Sequence, residues 1–150
     1  MRSSESIKTI APLILKVQKQ IGSAKKAGYN PFVKCHYVNL GSVMEVCKDK
    51  LNTVGIAVMQ NLGVTVNGGQ FLETILLHDS GEWIGARMKL TPAKDNDPQA
   101  QGSAITYARR YALQAMMFIP SEDDDAEGAM KRPGLKTTQT RPAYRPPTAT

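Results

Sequence analysis

The segment that most constrains the fold is a stretch bounded by two prolines, Pro98 and Pro120. Asp97 precedes the first proline, and this pair is typical of a helix start because the carboxylate accepts hydrogen bonds from free backbone amides while proline needs no amide partner there. Pro120 restricts the residue before it and predicts a last turn near Phe118. The sequence therefore predicts one long helix between these prolines.

One side of this helix is apolar and mostly small, at about 100° per residue. Its members are Ala104, Ile105, Ala108, Ala112, Ala115 and Met116. We expect this side to lie flat on a sheet or another helix. The opposite side carries Ser103, Thr106, Tyr107, Arg110 and Gln114, with Tyr111 at its edge and Arg109 at the border of the apolar stripe. The polar side is either a solvated surface or a nucleic-acid groove, in which arginine binds phosphates and tyrosine stacks on bases. Local spacing does not choose between the two.

Three segments before the helix predict an antiparallel sheet. Residues 56–66, 71–78 and 83–90 are rich in strand-forming residues, and glycine-containing turns separate them. In the third segment, Trp83, Arg87 and Lys89 alternate with apolar residues and share one face. A polar outer face is usual for such a sheet, yet an aromatic with two cations also suits a single-strand groove.

Upstream, residues 4–21 predict an amphipathic helix in which Pro12 could split off the first turn. A lysine-containing loop, a short extended segment at residues 32–38 and a second helix starting at Asn39 or Ser42 follow. The predicted fold is α+β: a three-stranded antiparallel β-meander followed by a long packed helix, with N-terminal helices. We divide the chain into a domain at residues 1–128 and a basic, proline-rich tail at 129–150 predicted to be disordered.

Charge and composition narrow the function classes. The formal charge is +6, which favours an anionic partner. Lys25, Lys26 and Lys34 belong to a basic N-terminal part and are weaker candidates for phosphate contact. With two cysteines outside any CxxC pair and two histidines, a four-ligand zinc site is not expected. We expect no membrane segment, no secretory signal and a cytoplasmic location.

Two segments carry a family resemblance. GSAITYARRYAL, followed by IPSEDDDAE, resembles the signature of the ERF family of phage and prophage proteins that anneal single-stranded DNA in recombination. KCHYVNLGSVMEVCKDKLNTVGIAVMQ is similar to the family's preceding segment. The resemblance spans residues 7–127 and implies the β-β-β-α core of single-strand annealing proteins, assembled as a ring or helical filament in the bacterial host. It also implies a phage exonuclease or host single-strand-binding protein as further partners.

The resemblance implies ATP-independent annealing without enzymatic activity or cofactor. The expected DNA contacts are Arg109, Arg110, Tyr107, Arg87 and Lys89, followed by Lys34, Lys25 and Lys26. Which of the two adjacent arginines is structural stays open. One alternative is a protector that coats single strands without pairing them. A less favoured one is a metal-dependent nuclease using the acidic run at residues 122–127, because two-metal sites draw carboxylates from separate elements.

Overall fold

The computed structural model describes residues 1–31 and 35–120. In chain order, its elements are β1 (Arg2–Ser3), α1 (Ile10–Gln18), β2 (Gly28–Asn30), β3 (Cys35–Tyr37), α2 (Leu40–Thr53), β4 (Ile56–Val64), β5 (Gln70–His78), β6 (Trp83–Lys89) and α3 (Pro98–Met117).

The main sheet has four antiparallel strands in the order β1-β6-β5-β4. Gly68 (φ 77°) and Gly81 (φ 86°) occupy the turns that join β4 to β5 and β5 to β6, in a backbone region that favours glycine. This sheet confirms the α+β class. The prediction of three strands was incomplete, since β1 adds a fourth strand that is too short to leave an alternating pattern in the sequence.

The first helix is shorter than predicted. α1 begins at Ile10 rather than near residue 4, which places Pro12 in the first turn, where its missing N–H costs no helical hydrogen bond. The preceding arm is fastened to the β5–β6 turn, because Glu82 Oε2 accepts hydrogen bonds from the amides of Thr9 and Ile10 at 2.8 Å each. Glu82 Oε1 accepts a third from Ser6 Oγ at 2.7 Å.

A two-stranded ribbon precedes α2. β2 pairs antiparallel with β3. Gly28–Asn30, which the sequence predicted as part of the lysine-containing loop, is therefore a strand. Asn39 caps α2, with its Oδ1 accepting a hydrogen bond from the Ser42 amide at 2.9 Å. Ser42, the alternative start, lies inside the helix and is buried. The cap brings the end of β3 against the first turn of α2.

α3 packs on one face of the sheet, against β5 and β6, and also contacts α2. Its limits agree with the Asp97–Pro98 start and with the end expected near Phe118. The inward side is rotated from the predicted stripe: Ala108, Leu113 and Met117 are buried, whereas Ala115 is exposed. The predicted stripe did not include the two large inward residues, Leu113 and Met117. They are buried because α3 packs against α2 as well as against the sheet, and a second neighbour widens the buried side.

Candidate nucleic-acid interface

Arg110 is the centre of an aromatic cluster on the outer side of α3. Its Cζ lies 4.6 Å from the ring centroid of Tyr111, 5.1 Å from that of Tyr37 and 5.3 Å from that of Tyr107. The guanidinium Nη1 donates a hydrogen bond to Val38 O at 2.6 Å, which ties α3 to the end of β3. We call these four residues with side chains at the surface, Arg110, Tyr37, Tyr107 and Tyr111, the Tyr-Arg cluster.

The three tyrosines of the Tyr-Arg cluster are exposed. Tyr107 and Tyr111 are exposed, one helical turn apart, and their ring centroids are 4.3 Å apart with planes tilted by 45°. Hydrogen bonding between the two hydroxyls, together with their mutual repulsion if ionised and some desolvation, raises the pKa of Tyr107 despite the nearby Arg110 charge. Tyr107 is therefore neutral at physiological pH, and its exposed ring is accessible to a ligand.

Two cavities flank the Tyr-Arg cluster. One of about 600 Å³ lies toward the C-terminal end of α3, where Lys26, His36 and Phe118 join the lining. The other, of about 810 Å³, lies toward the N-terminal end of α2, where Asn39 and Gln99 contribute amides. Arg110 and Tyr37 line both cavities and form the ridge between them. We refer to these two cavities, with the Tyr-Arg cluster between them, as the groove along α3.

Arg109 points away from this groove. Its Nε donates to Gln60 Oε1 at 3.1 Å, and Gln60 Nε2 donates to Arg109 O at 3.0 Å and to Thr74 Oγ1 at 3.1 Å. These bonds join α3 to β4 and β5. Of the two adjacent arginines, Arg110 faces the groove and Arg109 is held at the sheet.

Arg87 and Lys89 lie on the other face of the sheet. Arg87 is opposite Glu73 in the β5–β6 register, and its Nε donates to Glu73 Oε1 at 2.9 Å while its Cζ lies 4.5 Å from the Phe71 ring. Arg2 Nη1 binds the same carboxylate oxygen at 2.9 Å. The Arg87 guanidinium is therefore bound to Glu73 and not to the Tyr-Arg cluster, although Arg87 and Tyr111 both line a cavity of about 660 Å³. Lys89, at the end of β6, is exposed and borders a third cavity of about 490 Å³ that Tyr107 also lines.

The three candidate lysines differ in position. Lys26 borders the 600 Å³ cavity beside the Tyr-Arg cluster, whereas Lys25 is exposed in the loop before β2. Lys34 lies outside the described residues, as do the acidic run and the basic tail.

Sequence reasoning missed two parts of this surface. Phe118 was taken only as the end of the helix, but its side chain is 84% exposed at the rim of the 600 Å³ cavity. Tyr29 and His36 form a tilted ring pair with centroids 5.1 Å apart, across the β2–β3 ribbon that the sequence did not predict. The sequence carried no signal for Phe118, because its exposure beside the buried Ile119 is visible only in the structure.

Residues 1–31 and 35–120 contain neither a candidate metal site nor a candidate membrane span. No group of three or more histidine, cysteine, aspartate or glutamate side chains in these ranges is placed to hold a metal ion. No helix there is both long enough and apolar enough to cross a membrane. Cys47 is buried in the core, and burial raises the pKa of its thiol against the smaller effects of its hydrogen bond and of Lys50.

Comparison with protein families tests the family resemblance that the α3 segment carries. The model of the ERF superfamily matches residues 10–148, most of the chain. The chain belongs to the ERF superfamily. This membership confirms the resemblance and links the protein to single-strand annealing in phage recombination. Searches of curated proteins and of solved structures found no significant match to this ERF protein.

Proposed function

We propose that this ERF protein binds single-stranded DNA along the groove on α3 and anneals complementary strands without ATP, cofactor or bond chemistry. The observation that carries the proposal is Arg110, fixed at the surface among Tyr37, Tyr107 and Tyr111 with a cavity on either side. A cation among exposed aromatic rings is the combination that sequence-independent single-strand binding uses. The membership of the chain in the ERF superfamily supports the same function.

In the proposed mechanism, Arg110 binds a phosphate while its Val38 hydrogen bond holds the guanidinium in place. Tyr107 stacks on a base, and Lys26 adds positive charge at the end of the groove near the C-terminus of α3. Neutralising phosphates lowers the repulsion between two strands, and bases held open on the groove are accessible for pairing. Because no bond is broken, we propose that the protein is not an enzyme.

We further propose that the order β4-β5-β6-α3 corresponds to the core of single-strand annealing proteins, and that copies assemble into a ring or helical filament. The outer edge of β4 supports assembly: no other described strand pairs with it, and its nine residues include no charge or proline. Leu62 and Val64 on this strand are 59% and 67% exposed. Natural proteins usually protect long apolar edges with charges or proline, so β4 is suited to contact another copy.

The assembly proposal predicts that Leu62→Lys lowers the mass measured by light scattering at a fixed protein concentration. Val66→Lys is the matched control, because Val66 is fully exposed in the turn beyond β4. This substitution adds the same charge outside the strand. A wild-type protein that is monomeric, or an assembly that Leu62→Lys leaves intact, would contradict the role of β4.

The function itself is tested by mixing two complementary fluorescent oligonucleotides with the purified protein, without ATP, over a series of salt concentrations. We expect accelerated pairing that weakens with salt and is reduced in Arg110→Ala. Tyr107→Ala should weaken single-strand binding, since stacking is worth about 1–3 kcal/mol per base. Binding without faster pairing would instead favour a protector, and magnesium-dependent cleavage of the oligonucleotides would favour a nuclease.

A further inference from the structure

Phe118 occupies a backbone conformation that favours glycine. It is the C-terminal cap of α3, with φ 55° and ψ 45° in the left-handed region, and its amide donates to Gln114 O. Helices commonly end in this way with glycine, because a side chain in this region meets its own backbone. A phenylalanine here therefore costs folding free energy that glycine would not.

The side chain gains little burial in return. The ring is 84% exposed, whereas the next residue, Ile119, is buried in the core. Pro120 O then accepts a hydrogen bond from the Ala24 amide at 3.0 Å, which fixes the chain after the cap. With α3 on one side and an anchored segment on the other, the left-handed cap holds the ring of Phe118 outward.

The outward ring is next to the site already described. Phe118 lines the 600 Å³ cavity together with Arg110, Tyr111 and His36. Strained residues persist where the surrounding structure determines them, and they cluster at binding sites. The strained, exposed position of Phe118 is one observation, and its place at the rim of a cationic, aromatic cavity is a second, independent one. Both indicate a binding site for the same kind of ligand.

We propose that Phe118 is a stacking platform for an unpaired base and that it makes the groove selective for single strands. The inference rests on the proposed DNA binding by the Tyr-Arg cluster. Arg110 holds a phosphate, and the adjacent base lies against Phe118 across the cavity. Because the faces of bases inside a duplex are already stacked on their neighbours, a duplex offers phosphates to Arg110 but no free base face to Phe118.

Phe118→Gly tests this role because it should move stability and binding in opposite directions. Glycine relieves the strained cap, so the melting temperature should rise. The same change removes the ring, so affinity for oligo-dT should fall about 5- to 150-fold, the range that corresponds to the loss of one stacked base. Affinity for a duplex of equal length should stay within about twofold, since phosphate contacts are retained.

Two further variants complete the experiment. Phe118→Leu keeps an apolar side chain in the same strained position and should bind oligo-dT as weakly as Phe118→Gly, without the gain in melting temperature. Phe118→Trp should keep the affinity, and its fluorescence above that of Trp83 should be quenched by oligo-dT. Equal oligo-dT affinity of wild type and Phe118→Gly would overturn the inference alone, whereas a wild type that binds no single strand would overturn the proposed function with it.

Discussion

The separation of Arg109 from the proposed DNA-binding groove can be tested through Gln60. The Gln60 side chain makes three hydrogen bonds, one from Arg109 Nε, one to Arg109 O and one to Thr74 Oγ1, and Thr74 is fully buried. Replacement by leucine keeps the approximate volume but removes all three. With a net value of about 1 kcal/mol for each bond and some compensation from leucine burial, we expect Gln60→Leu to lower the free energy of unfolding by about 2–3 kcal/mol.

Arg109→Ala removes one of the same three bonds, because the backbone oxygen remains. We expect it to cost about 1–2 kcal/mol, and the double variant to cost about 1 kcal/mol less than the sum of the single variants. The assay is urea denaturation of all four proteins followed by circular dichroism. Gln60→Leu should leave single-strand affinity unchanged wherever the protein is folded.

The same variants also measure whether Arg109 contacts DNA. Each phosphate contact to a single strand contributes about −0.7 to the slope of log affinity against log salt. A scaffold role for Arg109 predicts an unchanged slope in Arg109→Ala. Stability costs that add to within about 0.3 kcal/mol would refute the coupling between Gln60 and Arg109. A slope that flattens by about 0.7 would refute the scaffold role and make Arg109 a phosphate contact.

Three more predictions follow from individual contacts. Arg110→Gln should flatten the salt slope of oligo-dT binding by about 0.7, and Arg110→Lys should keep the slope while lowering affinity; equal slopes in all three proteins would exclude a phosphate contact. Desolvation raises the pKa of Glu82, but hydrogen bonds from Ser6, Ile10 and Thr9 outweigh it and lower that pKa. The contribution of Glu82 to the free energy of unfolding is therefore present above its unfolded-state pKa and is lost as the pH falls through its folded-state pKa. Thermal melts between pH 7 and pH 3 should therefore show less pH dependence in Glu82→Gln, and identical profiles would contradict the contact. Asn39→Ala removes the cap of α2 and should cost about 1 kcal/mol in urea denaturation, with Asn39→Ser as the control that keeps an oxygen at the cap.

The elements with strong local chemistry were predictable. The Asp97–Pro98 start of α3 was correct because capping depends on neighbouring residues alone, and Asp97 Oδ1 accepts from the amides of Gln99 and Ala100 at 2.9 and 3.2 Å. The strands β4, β5 and β6 were found within two residues of their ends because glycine turns separate them. β1 was not predictable, since two residues become a strand only when β6 supplies the hydrogen-bonding edge.

The candidate site, like the fold, was predictable from the sequence only in part. The sequence by itself determined that α3 has a polar side with Tyr107 and Arg110, because helical periodicity assigns residues to sides without any partner. Tertiary structure alone decided that Tyr37 joins Arg110, that Gln60 holds Arg109 and that Arg87 is opposite Glu73 on the other face of the sheet. The physical reason is that each of these contacts joins residues distant in the chain, and their distance in space depends on how α3 packs on the sheet.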